Sequence, residues 1–197
     1  MSALAVSNLV LWVLVLALCA VVLALIRQLG VLHERIAPAG ALMLNKGLKV
    51  GEAAPLVQVA DLNGQAHAVG AARGDGRSTL LLFVSPTCPV CKSLLPAVKS
   101  SGKEERRWLD VILASDGDLT EQREFVRAQG LERLPYVVSA ALGLAYQVSR
   151  LPFAALIDEQ GVLRARGLVN SREHLESLFE AKRLGVASLQ EYFSGAT

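Results

Sequence analysis

The chain has 197 residues, 52% hydrophobic and 19% charged, with a mean hydropathy of +0.40 and a formal charge of +2. None of its 38 charged residues (20 basic plus 18 acidic) lies in the first 26 positions. The rest of the chain therefore carries charge at about 22%, near the globular norm of about 25%. A hydrophobic leader joined to one ordinary domain excludes a disordered chain and a multi-spanning transporter, and no basic stripe with interleaved aromatics supports nucleic acid as a partner.

Leu9 to Ile26 is an unbroken run of 18 apolar residues, lengthened by Leu4 to Val6. At about 20 residues it suffices for a hydrocarbon core of about 30 Å, so a transmembrane anchor is expected over 4–26. A cleaved signal peptide would carry a basic start and a run of roughly 7–15 residues, and neither holds. Lipidation at Cys19 is disfavoured because Leu18 is too large to precede a lipidated cysteine and the sequence after it stays apolar. Arg27, Arg35 and Lys46 follow the span, which by the positive-inside tendency alone would keep the domain in the cytoplasm. The cysteine chemistry below pulls the other way.

A juxtamembrane helix and linker are expected over 27–50, with Ile26, Leu29, Leu32 and Ile36 at helical spacing before Pro38-Ala39-Gly40. Leu56 to Val59 reads as a short extended piece and Asp61-Leu62-Asn63-Gly64 as a turn. Thr79 to Val84 is a continuous apolar run, as in a strand buried on both faces. Residues 89–100 read as helix and Leu109 to Ala114 as a second buried strand. Helix follows over Glu121 to Ala128, with Asp118 as its cap, then a short strand over Tyr136 to Ser139. Phe153 to Ile157 and Val162 to Ala165 flank Asp158-Glu159-Gln160-Gly161, a hairpin signature. Ser171 opens a last helix, and 185–197 form a C-terminal tail. The expected fold is α/β, a central mixed sheet flanked by helices over 51–184.

The chemistry sits at Cys88-Pro89-Val90-Cys91, directly after the Thr79 to Val84 strand and at the head of a helix. Cysteines three apart in a first helical turn approach within disulfide reach. The first also meets free backbone N–H groups and the positive end of the helix dipole, which favour a thiolate. Pro89 suits the first helical position, where its missing N–H costs nothing. Cys88 is thus expected as the exposed attacking sulfur and Cys91 as the buried resolving one. Half a zinc site is the competing use, but it needs a second pair. The third cysteine lies in the leader, and His33, His67 and His174 stand singly, so neither metal nor cofactor is expected.

Three further features give the chain a resemblance to the thioredoxin superfamily. Pro96 lies eight residues after Cys88, where members kink the active-site helix. Leu151-Pro152 precedes the Phe153 to Ile157 strand, where members place a cis proline facing the disulfide. Gly51-Glu52-Ala53-Ala54-Pro55 with Asp61-Leu62-Asn63-Gly64 resembles the opening of membrane-anchored redoxins. More narrowly, Val31 to Leu42, Ser85 to Lys92 (including Pro86 and Thr87 before Cys88), Ala114 to Gly117 and Gly167 to Ala181 resemble the accessory redoxin family of methylamine utilisation. This resemblance implies a single-pass inner-membrane protein with a periplasmic domain. Its implied client is the disulfide-rich β (small) subunit of methylamine dehydrogenase, served together with a redox partner the sequence does not identify. The rival reading is a non-catalytic anchored scaffold for that client.

Two departures from the superfamily matter. Thr87 stands where many members have Trp, and the Thr79 to Val84 strand has no acidic residue to accept a proton from Cys91. Peroxide reduction is not expected, because Ser85 replaces the threonine that peroxidatic relatives place three residues before their cysteine.

Overall fold

A computed structural model describes residues 3–34 and 48–184, and the chain divides into two units, Met1–Leu44 and Asn45–Thr197. In the first unit, α1 (Ala3–Glu34) is one helix whose described side chains, at 7–22, are all exposed. Among the described residues no helix is long and apolar enough to cross a membrane. The anchor expected over 4–26 lies on α1 but extends past those side chains. The Pro38-Ala39-Gly40 break and the tail at 185–197 lie outside the described residues.

The second unit begins with a hairpin, β1 (Val57–Ala60) paired antiparallel with β2 (Ala66–Val69). Its turn closes on Asp61, whose carboxylate accepts the backbone N–H groups of Asn63 (2.8 Å) and Gln65 (3.0 Å). Then come β3 (Ser78–Phe83), α2 (Pro89–Glu104), β4 (Leu109–Ser115), α3 (Leu119–Gln129), β5 (Tyr136–Val138) and α4 (Ala140–Ala145). The chain returns through the hairpin β6 (Phe153–Ile157) and β7 (Leu163–Leu168) to α5 (Arg172–Leu184).

Five strands form one mixed sheet in the order β5-β4-β3-β6-β7, with β3 parallel to β4 and antiparallel to β6. The sequence of β3 explains its central place, because alternate residues serve two cores. Leu80, Leu82 and Val84 pack under α2, α3 and α5, whereas Leu81 and Phe83 pack with Leu142 and Tyr146 on the opposite face. All six β3 residues are buried, which an unbroken apolar run predicts for a strand covered on both sides. The β6–β7 turn is held by buried Asp158, which accepts from the N–H groups of Gln160 (2.9 Å) and Val162 (2.8 Å).

Two elements differ from the sequence expectation: β2 and α4 are additional. Both are short, and neither has room to show a period.

Candidate active site

Val84 follows the central strand, and Ser85 to Thr87 carry the chain to the α2 tip. The Ser85 hydroxyl lies 2.9 Å from that of Thr87 and accepts the Thr87 N–H at 3.3 Å, so this loop is internally braced. Pro86 is half-buried; Thr87, Pro89 and Val90 are exposed. Cys88 takes the N-cap position with extended backbone, and Pro89 opens the helix. The Cys88 Sγ accepts the N–H of Cys91 at 3.1 Å, doing with sulfur what a serine oxygen does at an ordinary cap. A donor is therefore aimed at the atom that would carry thiolate charge.

The pair is asymmetric, although Cys88 is less open than the exposed position expected for it. Cys88 is half-buried, whereas Cys91 is fully buried in the core beneath α2, and both are free thiols. Burial pushes the Cys91 thiol up to about 12, and the neighbouring Cys88 sulfur adds to the shift. Pro96 lies inside α2 on its exposed side, where it removes the N–H that would bond the Lys92 carbonyl. The Leu151–Pro152 bond is cis; Pro152 is buried and Leu151 remains 38% exposed.

A cleft of about 650 Å³ opens where β3 and β4 end, and Cys88, Thr87 and Leu151 line it. Ligand sites of open α/β sheets lie at this carboxyl end of the strands. Its far wall is α4 with the following loop, including Leu144, which is 79% exposed. Sequence reasoning missed this wall. Ser139 before a small-residue run was the available signal, since its hydroxyl caps α4 by accepting the Leu142 N–H at 3.2 Å.

Below the site, the face under α2 carries one polar cluster. Tyr136 donates its hydroxyl to Gln122 at 2.6 Å, and the Gln122 amide donates to the Asp116 carbonyl at 2.7 Å. Burial raises the Tyr136 hydroxyl to about 12. No carboxylate stands on β3 beside Cys91, as its sequence shows. Among the described residues no group of three or more His, Cys, Asp or Glu could hold a metal ion. His67 bonds buried Asp61 at 3.0 Å.

This fold, with helices on both faces of a mixed sheet and a cysteine pair heading the helix after the central strand, is that of a thioredoxin-like redoxin. Residues 49–182 match the Redoxin family. The methylamine utilization protein MauD of Paracoccus denitrificans is 46% identical over 95% of this chain and 93% of its own length. MauD of Methylobacillus flagellatus is 47% identical over 94% and 90%. The chain belongs to the MauD family. Among solved structures, the exposed lipoprotein thioredoxin Etrx1 of Streptococcus pneumoniae is 20% identical with a TM-score of 0.55, over 64% of this chain and 99% of that one. A secreted Mycobacterium tuberculosis disulfide oxidoreductase is 18% identical with a TM-score of 0.53, over 64% and 96%. At that identity these two report the fold alone.

Proposed function

We propose that the protein is a membrane-anchored thiol–disulfide oxidoreductase acting through Cys88 and Cys91 on cysteine-bearing protein clients. The observation that carries this reading is the asymmetry of the pair: one sulfur reaches an open cleft at a helix tip, while its partner lies buried beneath. In the disulfide-donating direction, a client thiolate attacks Cys88 Sγ. The Cys88–Cys91 bond breaks, a client–Cys88 disulfide forms, and Cys91 leaves as thiolate. A second client thiolate then attacks the client sulfur, closing the client disulfide and releasing Cys88. Two electrons have passed from client to protein, and a redox partner must remove them. The dithiol form runs the same steps backwards, and reduction potential decides the direction.

The Leu151–Pro152 turn and Leu144 give the client apolar surface on either side of the reacting sulfur. Family membership points to the methylamine dehydrogenase β subunit as client, and α1 serves as an anchor holding the domain on the periplasmic side. The test is to produce the full chain with Cys91→Ser beside that subunit. The expected result is a reducible client adduct at Cys88 that disappears when Cys88→Ser is added, with dehydrogenase maturation lost in each single variant. Normal maturation in both single variants would overturn the redox reading and leave the scaffold.

A further inference from the structure

At the end of the sheet opposite Cys88, half of β4 lacks a neighbour. β5 pairs with β4 only through Leu113, Ala114 and Ser115, and β5 is covered in turn by Asp61 and Leu62. Two hydrogen bonds fix how the β4 backbone alternates. Ser78 N–H donates to the Trp108 carbonyl (2.7 Å) and Val84 N–H to the Ala114 carbonyl (2.9 Å), so residues 108, 110, 112 and 114 face β3. Residues 109, 111 and 113 therefore face away. Leu113 N–H uses that direction to reach the Pro135 carbonyl at 2.9 Å. Leu109 is also satisfied, its N–H by the Glu105 carbonyl (3.0 Å) and its carbonyl by the Arg77 guanidinium (2.9 Å). Val111 points the same way, and among the described residues nothing on that side pairs with its N–H or C=O.

A cavity of about 350 Å³ runs along this stretch, lined by Leu109, Asp110, Val111 and Ile112 in succession. Side chains alternate faces along a strand, so four consecutive residues meet one cavity through their backbone edge. Arg73, Arg77, Arg106 and Arg133 surround it. Asp110 binds Arg73 (2.7 Å) and Arg77 (2.6 Å), and Asp75 also binds Arg73 (2.5 Å). Arg106 and Arg133 are exposed and have no ion-pair partner among the described residues. The cavity thus combines an unpaired strand edge with two uncommitted guanidinium groups.

We propose that this edge binds an extended acidic segment of a partner protein, which adds as a strand beside Val111 and places carboxylates against Arg106 and Arg133. Main-chain pairing holds such a segment and charge selects it. A lipid headgroup would meet the arginines but has no alternating backbone to offer Val111. Charged side chains also guard free edges against pairing, and in that case no peptide would bind.

The test offers the full-length chain three probes: an alternating glutamate–valine hexapeptide, its lysine–valine counterpart, and a backbone N-methylated glutamate–valine version. The first should bind, weaken as salt screens it, and slow amide exchange at Val111 by about tenfold or more. The other two should bind at least about tenfold more weakly, as should the first peptide to Arg106→Glu/Arg133→Glu, a double variant at exposed positions whose fold circular dichroism would check. Cys88→Ser should leave binding unchanged, which separates this site from the redox reading. Equal binding of the acidic and basic peptides, unaltered Val111 exchange, or indifference to the double variant would overturn the proposal. So would binding to anionic vesicles through these arginines with none to the peptide.

Discussion

Cys91 couples the redox state of this chain to its acid–base behaviour. Its folded-state pKa of about 12 stands above the ordinary 9.0, chiefly because burial disfavours the thiolate. A raised pKa contributes stability that is fully present below 9.0 and lost as pH rises toward about 12, since unfolding frees the thiol to ionise. Only the reduced protein has this proton to lose. Denaturant unfolding of the two redox forms should therefore show the reduced form losing stability relative to the oxidised one between pH 9 and 11, with parallel curves below pH 8. A constant difference across that range would mean that Cys91 is not buried as a thiol. Asp61 works in the opposite sense. Burial opposes its charge, but the His67 ring and the N–H groups of Gln65 and Asn63 outweigh that and hold its carboxyl below the usual range. Its contribution is present above the ordinary carboxylate pKa and fades as pH falls through the folded value. Tyr136→Phe removes the hydroxyl that meets Gln122 and leaves a buried amide oxygen unsatisfied; thermal unfolding should show a loss of about 1–3 kcal/mol.

At the scale of elements, legibility follows burial pattern and length. The runs forming β3 and β4 announce themselves because two cores cover them, and Asp118 marks the start of α3 by accepting the N–H groups of Thr120 and Glu121. The Cys88–Cys91 spacing directly after a buried strand points to the helix tip, since cysteines three apart in a first helical turn come within disulfide reach. Invisible in advance were β2 and α4, of four and six residues. Their places are fixed by what they pack on: β2 by its pairing with β1, and α4 by burial of Leu142 and Tyr146 against the sheet. The cleft wall was missed with α4. If that wall receives clients, Leu144→Asp, at a site 79% exposed, should leave the melting temperature nearly unchanged. It should slow formation of the Cys91→Ser client adduct by about tenfold, the equivalent of losing about 1.4 kcal/mol of apolar contact. An unchanged rate would remove α4 from client recognition. Gly70 makes a contrasting case. With φ at +89° and its Cβ position against the Pro55 carbonyl, Gly70→Ala strains the backbone that ends β2, so a lowered melting temperature is the expected reading.

For the whole molecule, the proposed anchor raises the question of which side of a membrane would receive the domain, and two physical tendencies oppose each other. Arg27, Arg35 and Lys46 follow the apolar run, and residues 1–8 carry no charged side chain. Basic residues resist translocation, so charge alone retains the domain in the cytoplasm. Disulfide donation to the proposed disulfide-rich client would require an oxidising compartment, because cytosolic thiol pools keep such pairs reduced. The charge bias is three residues, spread over some twenty positions beyond Ile26, so the requirement of the chemistry is the stronger guide. Alkaline phosphatase fused after residue 50 reports this directly, because its fold needs disulfides made outside the cytoplasm. High phosphatase activity is the expected outcome. Ser2→Lys with Ala3→Lys strengthens the positive charge before the span, so it should hold that activity or raise it if the amino terminus is cytoplasmic. Low activity in the parent fusion, with Cys88 and Cys91 found reduced in cells, would place the domain in the cytoplasm and make the pair a reductant.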